Sequence, residues 1–145
     1  MWKYEMLMCQ HNYLTFIELS NFPSVQDGYI FQDTVYINEN LTPYRKHEIV
    51  AEEIAHFKMN AGNILDQTKF NNRKFEGYAR RKTYEMLMPL DEIKSITFNG
   101  ITSLYEISNY FEVTEKFVKS ALSYYIKKDK FCLLYTSDAA DDLLC

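Results

Sequence analysis

Hydrophobic spacing along the chain predicts one short helix, then a group of strands, then helices for the remainder. Trp2–His11 places Tyr4, Met6, Leu7 and Met8 among polar residues with few breakers, which predicts a short amphipathic helix. Leu14–Leu19 is rich in strand formers and is stopped by Asn21-Phe-Pro-Ser24. Gly28–Gln32 and Thr34–Asn38 predict two short strands with Asp33 at the turn, hence a hairpin. Asn38–Asn40 breaks the sheet. Thr42-Pro43 then supplies an N-cap and a proline at the first helical position. The helix opened there runs to about Asn60, and Gly62 stands where a C-terminal stop belongs.

Asn63–Asn72 is polar and predicts a loop. Arg73–Met88 predicts a second long helix, ended by Pro89, and its Glu76, Ala79, Thr83 and Leu87 share one face. The small side chains there would let another helix approach closely. Leu90–Ile96 predicts a further short helix. Thr102-Ser103 caps Leu104–Phe111 and Thr114 caps Glu115–Lys128, which predicts a helix pair around Glu112-Val113. A small three-stranded sheet with helices segregated from it makes the fold class α+β.

The chain has 145 residues, 47% hydrophobic and 25% charged, which suits one compact domain with an adequate core. A net charge of -4 argues against a phosphate-tracking surface, so no direct nucleic-acid partner is expected. The 12 Tyr and 10 Phe read as a mixed aromatic core. Cys9, Cys132 and Cys145 lack C-x-x-C spacing and make no disulfide framework, which fits a reducing cytosol. No basic-then-apolar leader opens the chain, and no apolar run approaches the roughly 18 residues of a membrane helix. A cytoplasmic location without membrane contact is expected. Residues 131–145 break character, with three aspartates and no Lys or Arg, and read as a non-native or disordered tail. That leaves residues 1–130 as a single domain.

The chemistry concentrates in Glu52-Glu53-Ile54-Ala55-His56. At 100° per residue these three ionisable groups fall within about 100° of one another on one stripe. Ile49, Val50, Ala51, Ile54, Ala55, Phe57 and Met59 make the rest of the helix apolar almost all round. Buried charge without a partner costs on the order of several kcal/mol, and a metal ion is a suitable partner. The pattern is that of an H-E-x-x-H helix with Glu52 at the first ligand position. A solvated glutamate pair beside a satisfied core histidine is the plainer alternative. His47 lies about 13.5 Å along the axis from His56 and Glu48 about 12 Å, so neither can share an ion with it. His11 reads as a surface residue. A third donor must come from elsewhere in the fold. Glu76 on the following helix is one candidate, with an i,i+4 pair to Arg80 as its alternative, and Asp66 in the loop is a looser one.

Val35-Tyr-Ile-Asn38, Leu41 with Arg45 ahead of Ala51-Glu-Glu-Ile-Ala-His56, Gly62–Gln67, Asn72-Arg-Lys-Phe-Glu76 and Glu85-Met-Leu-Met-Pro89 together resemble the ImmA/IrrE metallopeptidases. These are encoded by prophages and mobile elements of Gram-positive bacteria, and the resemblance covers roughly Tyr4–Lys128. It implies a zincin-like helical core under the sheet, with an active-site helix, a third-ligand helix and the C-terminal helix pair. By position it implies Zn2+ held by Glu52, His56 and Glu76, with Glu53 as general base. The oxyanion donor is not singled out, and Arg80 and Tyr78 are candidates. The implied role is cleavage of the helix-turn-helix repressor that silences the element. Two rivals are a catalytically impaired module that sequesters the repressor and a DNA-binding regulator using Leu104–Lys128.

Overall fold

A computed structural model describes residues 1–23, 25–62, 72–129, 133–134 and 143–144. The chain forms two compact units, Met1–Thr83 and Tyr84–Cys145.

The first unit opens with α1 (Lys3–Gln10), followed by β1 (Thr15–Leu19), β2 (Gly28–Phe31) and β3 (Thr34–Asn38). Next come α2 (Pro43–Gly62) and α3 (Asn72–Leu87), whose last turn belongs to the second unit. The hairpin of β2 and β3 pairs antiparallel, with Gly28 opposite Ile37 and Ile30 opposite Val35. β1 adds to β3 in parallel, Phe16 beside Val35 and Glu18 beside Ile37, so the strand order is β1-β3-β2. A side chain at Gly28 would point at Ile49 of α2, so Val35, Ile37 and Ile30 turn to the same helix. Val35 and Ile37, with Val50 and Ile54 of α2, are fully buried and form the centre of this unit. Each such side chain contributes on the order of 1.5–3 kcal/mol. The opposite face of the sheet is aromatic, with Tyr29 stacked on Tyr36 at 4.8 Å and Phe22 against Tyr29.

The caps expected at the start of α2 are present. Thr42 Oγ1 accepts the Arg45 amide at 3.2 Å and Pro43 is the first helical residue. α1 packs on α2 through Tyr4 and Leu7, and the Lys46 ammonium lies over the Tyr4 ring while pairing with Glu18. The loop expected at Asn63–Asn72 lies outside the described residues except for Asn72, the first residue of α3.

The second unit contains α4 (Leu90–Phe98), α5 (Leu104–Phe111) and α6 (Glu115–Asp129). Met88, Ile93, Ile107, Val113, Val118 and Leu122 form its centre. The Tyr125 hydroxyl donates to the Met88 carbonyl at 2.8 Å, and Glu85 accepts from both Tyr124 and Lys128. Between α5 and α6, Glu112 takes a left-handed conformation (φ 56), Val113 is buried, and Thr114 Oγ1 caps α6 by accepting the Phe117 amide. In the tail, Leu133–Leu134 (β4) and Leu143–Leu144 (β5) pair antiparallel. Spacing did not announce that pair, because two apolar dipeptides carry no period. The rest of residues 131–145 lies outside the described residues. Among the described residues no helix is long and apolar enough to cross a membrane.

Candidate metal centre

Glu52 and His56 stand one turn apart on α2 and therefore share a face. Glu53, one residue on, turns about 100° toward the sheet and is only 7% exposed. A Cβ built at Gly28 would lie 3.9 Å from Glu53 Cγ, so the first residue of β2 is the neighbour of that carboxyl group. From α3, Glu76 reaches His56, with Oε2 3.8 Å from Nε2.

One donor atom from each of Glu52, His56 and Glu76 lies within 4.8 Å of the others. Donors bound at 2.0–2.1 Å around a tetrahedral ion stand about 3.4 Å apart. The closure needed is small, and Glu76 can supply it because its side chain is 51% exposed. His56 Nε2 is the strongest sign that the set fits a cation. It is buried and, among the described residues, has no hydrogen-bond partner. Leaving such a nitrogen unsatisfied costs about 1–3 kcal/mol. A cation centred between it and the two carboxylates removes that penalty.

The electrostatics point the same way. Burial pushes the Glu52 carboxyl above its ordinary range, with Glu76 adding to the rise while His56, Arg45 and Arg80 oppose it. Glu53 is pushed up to about 7, first by burial and then by the charges of Glu52 and Glu76. Glu52 and Glu76 beside His56, with Glu53 close by, are unfavourable when all are ionised and become favourable once a divalent cation sits among them.

The remaining candidates fall elsewhere. His47 and Glu48 are buried on α2 outside the cluster, and a ring nitrogen of His11 pairs with the Leu7 carbonyl at 2.9 Å. Asp66 lies outside the described residues. Among the described residues, Glu76 stands within ion-pair distance of His56. Tyr78 lies beneath the cations of Arg81 and Lys82, whereas the charge of Arg80 acts on Glu52.

Sequence reasoning missed one feature beside the site. The Arg45 guanidinium bridges Asp27, the residue before β2, and Glu48, one turn before Glu52. The Arg45–Glu48 half was readable as an i,i+3 pair. The Asp27 half joins residues that no spacing rule connects.

The sequence profile of a peptidase family described as the IrrE N-terminal-like domain matches residues 10–123, well over half of the chain. The chain belongs to the ImmA/IrrE family. A search of curated proteins finds no match. As an ImmA/IrrE member the protein is of the metallopeptidase type, in a family that is typically metal-dependent. The matched span contains all of β1 to α5, and with them Glu52, Glu53, His56 and Glu76.

Proposed function

We infer that this ImmA/IrrE protein is a zinc-dependent endopeptidase of a prophage or mobile element. Its substrate, on this reading, is the cytoplasmic helix-turn-helix repressor that keeps the element silent. The observation that carries the reading is the buried His56 Nε2, which has no hydrogen-bond partner among the described residues and faces Glu76 at 3.8 Å, within a cluster completed by Glu52. Those three residues would hold the ion. When bound there, zinc supplies a Lewis acid that polarises the scissile carbonyl and makes a neighbouring water more acidic.

The chain's own residues do the rest. Glu53 is placed beside the cluster in a buried setting that raises its affinity for a proton toward neutral pH. It takes a proton from the attacking water and returns it to the nitrogen of the leaving amine. Arg80, one turn beyond Glu76, is the cation we assign to the developing oxyanion.

The substrate is positioned by the edge of the sheet. The Asp27 carbonyl accepts the Asn38 amide at 3.0 Å, and this sets the alternation of the β2–β3 ladder. Tyr29 and Phe31 then bond to β3, while the N–H and C=O groups of Gly28 and Ile30 point away from it. An extended peptide adding to this edge would run past Glu53. α5 and α6 are read as packing elements rather than a DNA reader, since Glu112 and Glu115 stand just before Lys116 and Lys119 and the chain is net acidic.

The test is to co-express the parent, Glu53→Gln and Glu76→Gln with the repressor encoded beside the gene. Repressor is followed by blot, and zinc is measured on the purified chains. Glu53→Gln should keep zinc and lose at least ~100-fold in cleavage, the low end for removing a general base. Glu76→Gln should lose zinc and cleavage together. Undiminished cleavage by Glu53→Gln would refute its role. A parent that binds zinc and the repressor but never cleaves it would replace this reading with the sequestering module.

A further inference from the structure

We propose that Arg45 is a positioning residue: it latches the start of β2 to α2 and so sets where a peptide on that edge lies relative to Glu53. The proposal rests on the endopeptidase reading and adds a residue to it.

The latch is built from three side chains on two elements. Arg45 Nε and Nη2 both donate to Asp27 Oδ2, at 3.3 and 3.0 Å, and Nη1 donates to Glu48 Oε1 at 3.0 Å. Glu48 is buried, so the helix end of the latch is held in the interior. Arg45 and Asp27 keep 38% and 40% of their side chains exposed, so the strand end is at the surface. A planar guanidinium can hold both ends at once, which a lysine cannot.

Its position gives the latch a consequence beyond cohesion. Asp27 directly precedes Gly28, and at Gly28 the strand lies close against α2. A Cβ there would sit 2.4 Å from Ile49 Cγ2 and 3.1 Å from the Tyr36 carbonyl. The missing side chain permits the approach, and the Arg45–Asp27 bond maintains it. The first outward-pointing N–H and C=O on the β2 edge belong to this same Gly28. A peptide bonded there takes its distance to Glu53 from the strand, and the strand takes its own from Arg45. A misplacement of about 1 Å at a reacting centre costs on the order of 100-fold in rate.

The experiment separates latch, metal and fold. Zinc-loaded parent, Asp27→Asn, Arg45→Met and the double variant are titrated with two probes, acetohydroxamate and a tetrapeptide hydroxamate. The first probe reads only the metal, and the second also reads the edge. In the parent the peptide probe should bind at least ~10-fold tighter than acetohydroxamate, the difference reflecting edge pairing. Both single variants should keep full zinc and bind acetohydroxamate within about twofold of the parent, yet lose about 10-fold on the peptide probe. The double variant should be no worse than either single one, because both break the same bond. Arg45→Lys should recover part of the loss.

Retention of the peptide advantage in Asp27→Asn and Arg45→Met would overturn the proposal. Parallel loss of both probes with the melting temperature would overturn it as well, since that is the signature of a purely structural pair. A folded parent that takes neither zinc nor acetohydroxamate would instead refute the endopeptidase reading beneath it.

Discussion

Glu53→Gln should make the metal-free protein more stable, and increasingly so as the pH rises. In the folded chain the Glu53 carboxyl is held up to about 7, against an ordinary value of 4.5. A carboxyl with a raised folded value favours folding while it is protonated. That contribution is complete below pH 4.5 and is lost as the pH rises through about 7. At 1.36 kcal/mol per tenfold change in proton affinity, the full loss is about 3 kcal/mol. Most of it, about 2–3 kcal/mol, falls between pH 5 and pH 8. Glutamine keeps the shape of the side chain and has no proton to lose, so the variant escapes the penalty. Glu52 is also raised by burial, but it is present in both chains and largely subtracts out. Urea unfolding of both proteins in a chelator at pH 5, 6, 7 and 8 gives the difference directly. The stability gap should widen by about 2–3 kcal/mol across that range and shrink when zinc is added, because a nearby cation favours the ionised form. Parallel pH profiles would refute the reasoning, since they would mean that Glu53 is solvated and titrates normally.

His56→Ala should abolish zinc binding at one ion per chain, because it removes the imidazole of the cluster, and metal analysis after gel filtration checks this. Glu52→His should tighten zinc, since a neutral imidazole replaces a carboxylate among three negative groups, and competition with a chromophoric chelator gives the affinity. Gly28→Ala should destabilise the fold by about 1–3 kcal/mol, because its Cβ would overlap Ile49 Cγ2, a buried side chain with little room to move. Chemical denaturation measures that loss, and the same variant should weaken the tetrapeptide hydroxamate by pushing β2 away from Glu53.

What the amino-acid sequence determined by itself is local. Thr42 and Pro43 open α2, Ser103 opens α5 and Thr114 opens α6, because a cap acts over three residues and is written in consecutive letters. Glu52, Glu53 and His56 were legible as a unit for the same reason, since offsets of one and four place side chains on a helix without help from the rest of the chain. The hairpin of β2 and β3 was visible from its turn. The parallel pairing of β1 with β3 was not, because it depends on which edge the hairpin leaves open. Tertiary structure decided the remainder of the site. Glu76 was already the candidate third donor, on the helix after the motif and by the resemblance, but its distance to His56 is set by how α3 lies against α2, and Asp27 carried no signal until Arg45 spanned 18 positions to reach it. The proton affinity of Glu53 also belongs to the fold. An exposed glutamate on the same helix would titrate in the ordinary carboxylate range, and burial together with two neighbouring carboxylates moves this one toward neutral pH.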